Sequence, residues 1–369
     1  MQAATHKRIY GLDILRAWAI LCVMQIHSFD YLVPHYNVHY YWLLLIDGVD
    51  IFFVLSGFLI GGILLRMVND PAGFNLREFW VRRWFRTLPN YYLLVIVLMP
   101  AYIWYFKRIP DKALHYFTFS QSLFSRHPHF FPEAWSLAIE EWFYLLVPVG
   151  LWLVLRFAGR QRRSAILVFI ISVIVSVTLY RVYMVSKLTG TPGFEWQHDI
   201  RKVVVLRLDA IMYGFLGAYL AYYFPAFWPR YRKLLFILGL LLCFGGRYMG
   251  GRYPIFYQYG NMTSTCLGVL CMLPMLSTIT AGSGPVHKAL TFISIISYSM
   301  YLLNYTVVQN IVLPGICKLA GIDINTSLAG AWVAWALFYI LTISMSWVLY
   351  RYWERPMTHL RERFAARKG

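Results

Sequence analysis

Residues 11–27 read GLDILRAWAILCVMQIH, an apolar stretch that carries Asp13, Arg16 and His27. A helix turns about 100° per residue, so Arg16 and His27 face nearly the same way, about three turns apart. Asp13 falls within about 40° of the same stripe. Ionisable groups inside a bilayer cost several kcal/mol and usually mark a pathway or a reaction centre. An imidazole titrating near neutral pH suits general-base work. A plainer reading stands beside this one: two interfacial charges and a core histidine bonded to a neighbouring helix.

Further ionisable groups sit in other apolar stretches. LIDGVDIFFVLSGFLIGG places Asp47 and Asp50 one turn apart, followed by Gly57 and Gly61, whose spacing suits close helix packing. Ser56 is a conceivable nucleophile there, though a serine at a packing face is more often structural. In NLREFWVRRWFRTLP, Arg77, Arg82, Arg83 and Arg86 interleave with Phe79, Trp80, Trp84 and Phe85. Arg83 and Arg86 share a helix face and suit phosphate oxygens. A lipid-facing amphipathic helix is the equal alternative. AWSLAIEEWFYLLVP holds Trp135, Glu140, Glu141 and, one turn after Glu140, Tyr144. The glutamates need partners, for which Arg207 or His27 is expected. Arg207 and Asp209 are two apart, point different ways, and each requires its own partner. Asn304 lies about 22 Å along a helix counted from residue 289, the depth of His27 counted from Leu12. His35 and His39 join His27 without metal-ligand spacing, so no metal is expected.

The elements that carry these groups follow from composition. The 369 residues are 59% hydrophobic and only 14% charged, with mean hydropathy +0.55. That composition excludes an ordinary soluble domain and describes a polytopic all-α membrane protein. Ten apolar spans are expected near 12–33, 41–65, 88–106, 135–155, 165–186, 203–224, 234–250, 262–281, 289–313 and 328–350. No cleavable leader pattern precedes them, so the first span reads as a retained signal anchor. The five cysteines lack metal or redox spacing. Of 34 Lys and Arg, 21 lie on the amino-terminal side, 11 on or near the other, and two, Arg16 and Arg207, within spans. That bias accounts for much of the +18 charge and predicts both termini in the cytoplasm. The chain reads as one domain, 1–369, with a short amino-terminal segment, 1–10, and a basic tail, 351–369.

Counted by depth, His27, Asp47, Asp50, Glu140, Glu141, Arg207, Asp209 and Asn304 fall in the outer half. Asp13, Arg16, Ser56, Arg83 and Arg86 fall toward the cytoplasmic face. The pattern predicts a cavity across the membrane, with a cationic inner mouth and an acid/base centre toward the outside. A transporter or flippase would look similar, but the halves show no repeat.

These stretches resemble the membrane-bound acyltransferase-3 family of bacterial O-acyltransferases. GLDILRA with His27, GVDIFFVLSGFLIG, RRWFRTLPNYY, WSLAIEEWFYLLVP, RLDAIMYGFLGA, ISYSMYLLN and WERP occur in the family's order, from residue 11 to about 356. The resemblance implies transfer of an acetyl or similar group from cytoplasmic acyl-CoA to a hydroxyl of an outer-side glycan. A lipopolysaccharide O-antigen, an exopolysaccharide and a lipid-linked oligosaccharide are examples of such acceptors, and a macrolide-type small molecule is the alternative. It implies a bacterial inner-membrane location. His27 would be the base, with Glu140, Asp47 or Asp50 orienting its ring. Arg83 and Arg86 would hold the CoA phosphates, with Arg16 and Asp13 along the donor path. Asn304, Glu141, Tyr144, Arg207, Asp209 and Trp135 would serve the acceptor or acyl group. The family often has His where this chain has Asn304. Many relatives also carry a fused outer domain, so acceptor handling is expected to fall to the membrane domain or to a separate protein.

Overall fold

The computed structural model describes residues 8–32, 34, 46–70, 74–323 and 326–365. The described residues contain no strand. The main helices are α1 (Tyr10–Leu32), α2 (Gly48–Val68), α3 (Leu76–Phe106), α4 (Ala134–Phe157), α5 (Arg162–Leu188), α6 (Leu208–Tyr223), α7 (Arg232–Arg252), α8 (Asn261–Ser277), α9 (Gly284–Leu303), α10 (Leu328–Leu349) and α11 (Arg355–Ala365). Among the described residues, eight helical stretches, based on α1 to α5, α7, α9 and α10, are long and apolar enough to cross a membrane. The two remaining expected spans fold as α6 and α8, of 16 and 17 residues. At 1.5 Å per residue they reach about 25 Å, short of a roughly 30 Å hydrocarbon core. Most of their residues are buried against neighbouring helices, so the protein surrounds much of their surface.

Asp47 caps α2, its side chain accepting from Val49 N at 3.1 Å. A Cβ at Gly57 would lie 1.8 Å from Ile211 O, and one at Gly214 would lie 1.9 Å from Val54 O. The glycines thus let α2 and α6 meet backbone to backbone, as small-residue spacing predicts. Around α1 pack α2, α8, α9 and α10, which places the Asp13–Arg16–His27 helix near the centre.

Three boundaries differ from the sequence expectation. The arginine stretch does not stand apart from the third span: α3 begins at Leu76, capped by Asn75, and carries Arg83 and Arg86 on the same 31-residue helix. The ninth span does not run evenly to residue 313. After Leu303 the backbone widens to π-type pairing through Asn304–Val312, then resumes as a helix at Leu313–Leu319. Such widening is common where a side chain must be re-aimed. The last expected span, 328–350, continues past its end as well. A second π-type stretch, Tyr350–Glu354, leads into α11, and Pro356 sits in its first turn, where a missing N–H costs little.

Candidate active site

Five helices, α1, α2, α3, α4 and α9, enclose a cleft of about 820 Å³, its open mouth included. Arg16, Arg83 and Arg86 line it together with Glu140 and Tyr144, so these expected site residues share one cavity. Tyr144 donates to Glu140 Oε2 at 2.8 Å, and its hydroxyl lies 2.8 Å from Ser56 Oγ. With the Tyr144 proton committed to the carboxylate, Ser56 is the donor to the Tyr144 oxygen. Trp80 Nε1 donates to Tyr144 O at 2.8 Å and ties the arginine turn of α3 to α4. Ser136 and Tyr301 also line the cleft, and Ser136 Oγ donates to Tyr301 OH at 2.6 Å.

His27 lies beyond that pair. Asn304 is three residues after Tyr301, so the His27–Asn304 contact is about one turn farther along the bundle. His27 Nδ1 stands 2.5 Å from Asn304 Oδ1. The Asn304 amide nitrogen donates to Met300 O at 2.9 Å and Tyr301 O at 2.7 Å. Those bonds assign the amide's orientation and leave its oxygen as acceptor. His27 Nδ1 must then carry the proton, and Nε2 keeps its lone pair. The Tyr305 ring packs 4.6 Å from the imidazole, centroid to centroid, and Gln309 Nε2 donates to His27 O at 3.2 Å.

This arrangement gives several of the expected site residues partners other than those expected. Among the described residues, the side chain bonded to the His27 ring is Asn304, not a carboxylate. The Asn304 amide bonds to His27 and to the α9 backbone. Glu140 sits with the arginines in the cleft, and Glu141 accepts from Thr87 Oγ1 at 2.6 Å; neither contacts Arg207 or His27. Asp47 pairs with Arg201, whose Nε donates at 2.9 Å. Asp50 and Arg207 are buried and pair with each other. Asp209 pairs with Arg181 at 2.8 Å, also buried. The expectation that Arg207 and Asp209 find separate partners is met, and neither pair lines the cleft. Trp135 is buried, with the Arg201 guanidinium 4.7 Å from its ring centroid. Asp13 accepts two bonds from Arg8, at 2.7 and 2.9 Å, and one from Ser294 at 2.8 Å; it anchors an arginine and does not line the cleft. His35 and His39 lie outside the described residues.

Sequence reasoning passed over three groups. Glu133 is buried and accepts from Thr306 N and Thr306 Oγ1, each at 2.6 Å, which fastens the widened turn beside Asn304. Burial pushes its carboxyl up to about 7, with the Thr306 donors acting against that rise. Arg181, alone in an apolar helix, was the visible signal that α5 must meet an acid. Lys202 precedes α6, and its charge is felt at both His27 and Glu133. Burial, and then the neighbouring Arg201, lower its ammonium to about 8, while Glu133 opposes the shift.

The sequence profile of the acyltransferase-3 family, described as an acyltransferase domain, matches residues 9–351. Peptidoglycan O-acetyltransferase OatA of Listeria monocytogenes is 27% identical over 329 residues, covering 82% of this chain and 50% of that protein. Putative peptidoglycan O-acetyltransferase YrhL of Bacillus subtilis is 29% identical over 335 residues, covering 82% and 49%. O-acetyltransferase OatA of Staphylococcus aureus is 31% identical over 239 residues, covering 54% and 38%. The chain therefore spans about half the length, or less, of these relatives. No solved structure matches. An all-α bundle with long apolar helices, a cleft lined by Arg83, Arg86 and Glu140, and a profile match across nearly the whole chain lead to one conclusion: the chain belongs to the acyltransferase-3 family.

Proposed function

We propose that the chain is a multi-pass inner-membrane O-acetyltransferase. It moves an acetyl group from cytoplasmic acetyl-CoA to a hydroxyl of an outer-side envelope glycan, with both termini in the cytoplasm. The observation that carries this reading is the pairing of an arginine-lined cleft with a tautomer-fixed histidine one turn beyond its far end. Arg83 and Arg86, with Arg16, hold the donor's phosphates by charge-assisted bonds. The slender thioester arm runs along the cleft toward Ser136 and Tyr301. His27 Nε2 takes the proton of the acceptor hydroxyl as its oxygen attacks the thioester carbonyl. The carbon–sulfur bond breaks, and the departing thiolate recovers the proton from the imidazolium. The relatives' names favour a cell-wall glycan as the acceptor class.

Mass spectrometry of envelope glycans from a host expressing the chain tests this reading. A gain of one acetyl mass is expected, absent with His27→Ala and with the Arg83→Ala/Arg86→Ala double variant at equal protein levels. Translocation of a glycan without any mass gain would favour a flippase instead.

A further inference from the structure

A second cavity adjoins the cleft, sharing Arg16 and Arg86 as a common wall. Its other charged or titratable walls are Arg8, Tyr350, Glu354, Arg355 and His359. Local bonding explains how they are held. Arg8 is gripped by Asp13. Glu354 is buried and accepts from Asn90 Nδ2 at 2.9 Å and Ser299 Oγ at 2.6 Å, which pins the start of α11 to α3 and α9. Arg355 and His359 are four residues apart and so share a face of α11. Among the described residues, Arg16, Arg86 and Arg355 form no ion pair. The carboxylates near this wall are Asp13, Glu354 and, from the cleft, Glu140; Arg8 and two hydroxyl- or amide-bearing partners already engage the first two. A cluster of guanidinium groups with this little compensation calls for a multiply charged anion.

Coenzyme A presents phosphate at two places, the diphosphate next to the pantetheine arm and the 3′-phosphate on the ribose beyond it. The shared arginines flank the cleft that takes the arm, so the diphosphate belongs with them. The α11 residues line the second cavity and not the cleft. We propose that Arg355 and His359, with Arg8 beside them, form a second anion subsite that receives the 3′-phosphate of the donor. This rests on the acyl-CoA reading above. It makes the carboxy-terminal helix a specificity element that distinguishes coenzyme A from analogues lacking that phosphate.

Binding of coenzyme A and of 3′-dephospho-coenzyme A to the full chain in nanodiscs tests the subsite. The intact chain should bind coenzyme A at least about tenfold more tightly. The Arg355→Gln/His359→Gln variant should bind both at the strength of the dephospho form, and Arg355→Lys should keep part of the preference. Unchanged dephospho-coenzyme A binding certifies that the double variant is folded. Equal binding of the two ligands by the intact chain, or an equal loss for both in the variant, overturns the subsite while leaving the donor reading in place. No binding of either ligand by the intact chain removes the donor reading and the subsite together.

Discussion

The Asn304 side chain can give its oxygen to His27 only because Met300 and Tyr301 take its two amide protons. That chain of bonds, not a carboxylate, makes Nε2 the basic nitrogen. Asn304→Ala frees the ring and should lower acetyl transfer about tenfold, the worth of one hydrogen bond near 1.4 kcal/mol. Asn304→Asp should retain more activity, since a carboxylate oxygen accepts from Nδ1 equally well. Rates measured at matched protein levels decide this. A common loss in both variants would show that the Nδ1 acceptor is not what matters. His27, Arg83, Arg86, Glu140 and Tyr144 were legible in the sequence because ionisable groups in apolar stretches need a reason. Their partners were not, since Asp50 and Arg207 are 157 positions apart and only packing brings them together.

Between helices, the buried pairs and the glycine contacts decide how the site is held. Removing one member of a buried pair leaves the other charge uncompensated. Asp50→Asn should therefore destabilise the bundle by about 3–5 kcal/mol, while Asp50→Leu with Arg207→Met should recover most of that loss. Thermal unfolding in detergent reads both. Gly57→Val drives a side chain into the Ile211 carbonyl and should abolish accumulation of folded protein, whereas Gly245→Ala, with open space around it, should not. Lys202 supplies a pH signature. Its ammonium is lowered by burial to about 8, so between pH 8 and its unfolded value of 10.5 the unfolded chain binds more protons. Stability should rise with pH across that window, and Lys202→Met should flatten the rise. Periodicity and hydropathy placed the helices well, but two features escaped them. The arginine stretch continues α3 because Asn75 caps it upstream, and the widened turn at Asn304 depends on Glu133, distant in sequence.

Across the whole molecule, the cationic cavities and His27 lie at different depths along one set of helices. Arg16 and His27 share α1 and are about 16 Å apart along its axis. A donor held by its phosphates at one level and consumed at another fits that separation. In the proposed topology the arginine level faces the cytoplasm, so reporter fusions at either terminus should signal a cytoplasmic location. The most direct measurement uses sealed membrane vesicles with the cytoplasmic face exposed, supplied with acetyl-labelled coenzyme A and followed for label in the glycan fraction. Transfer by the intact chain is expected, with a loss of about 10²–10⁴-fold for His27→Ala at kept donor binding and a loss of donor binding for Arg83→Ala/Arg86→Ala. Transfer by His27→Ala at the intact rate would rule out His27 as the base.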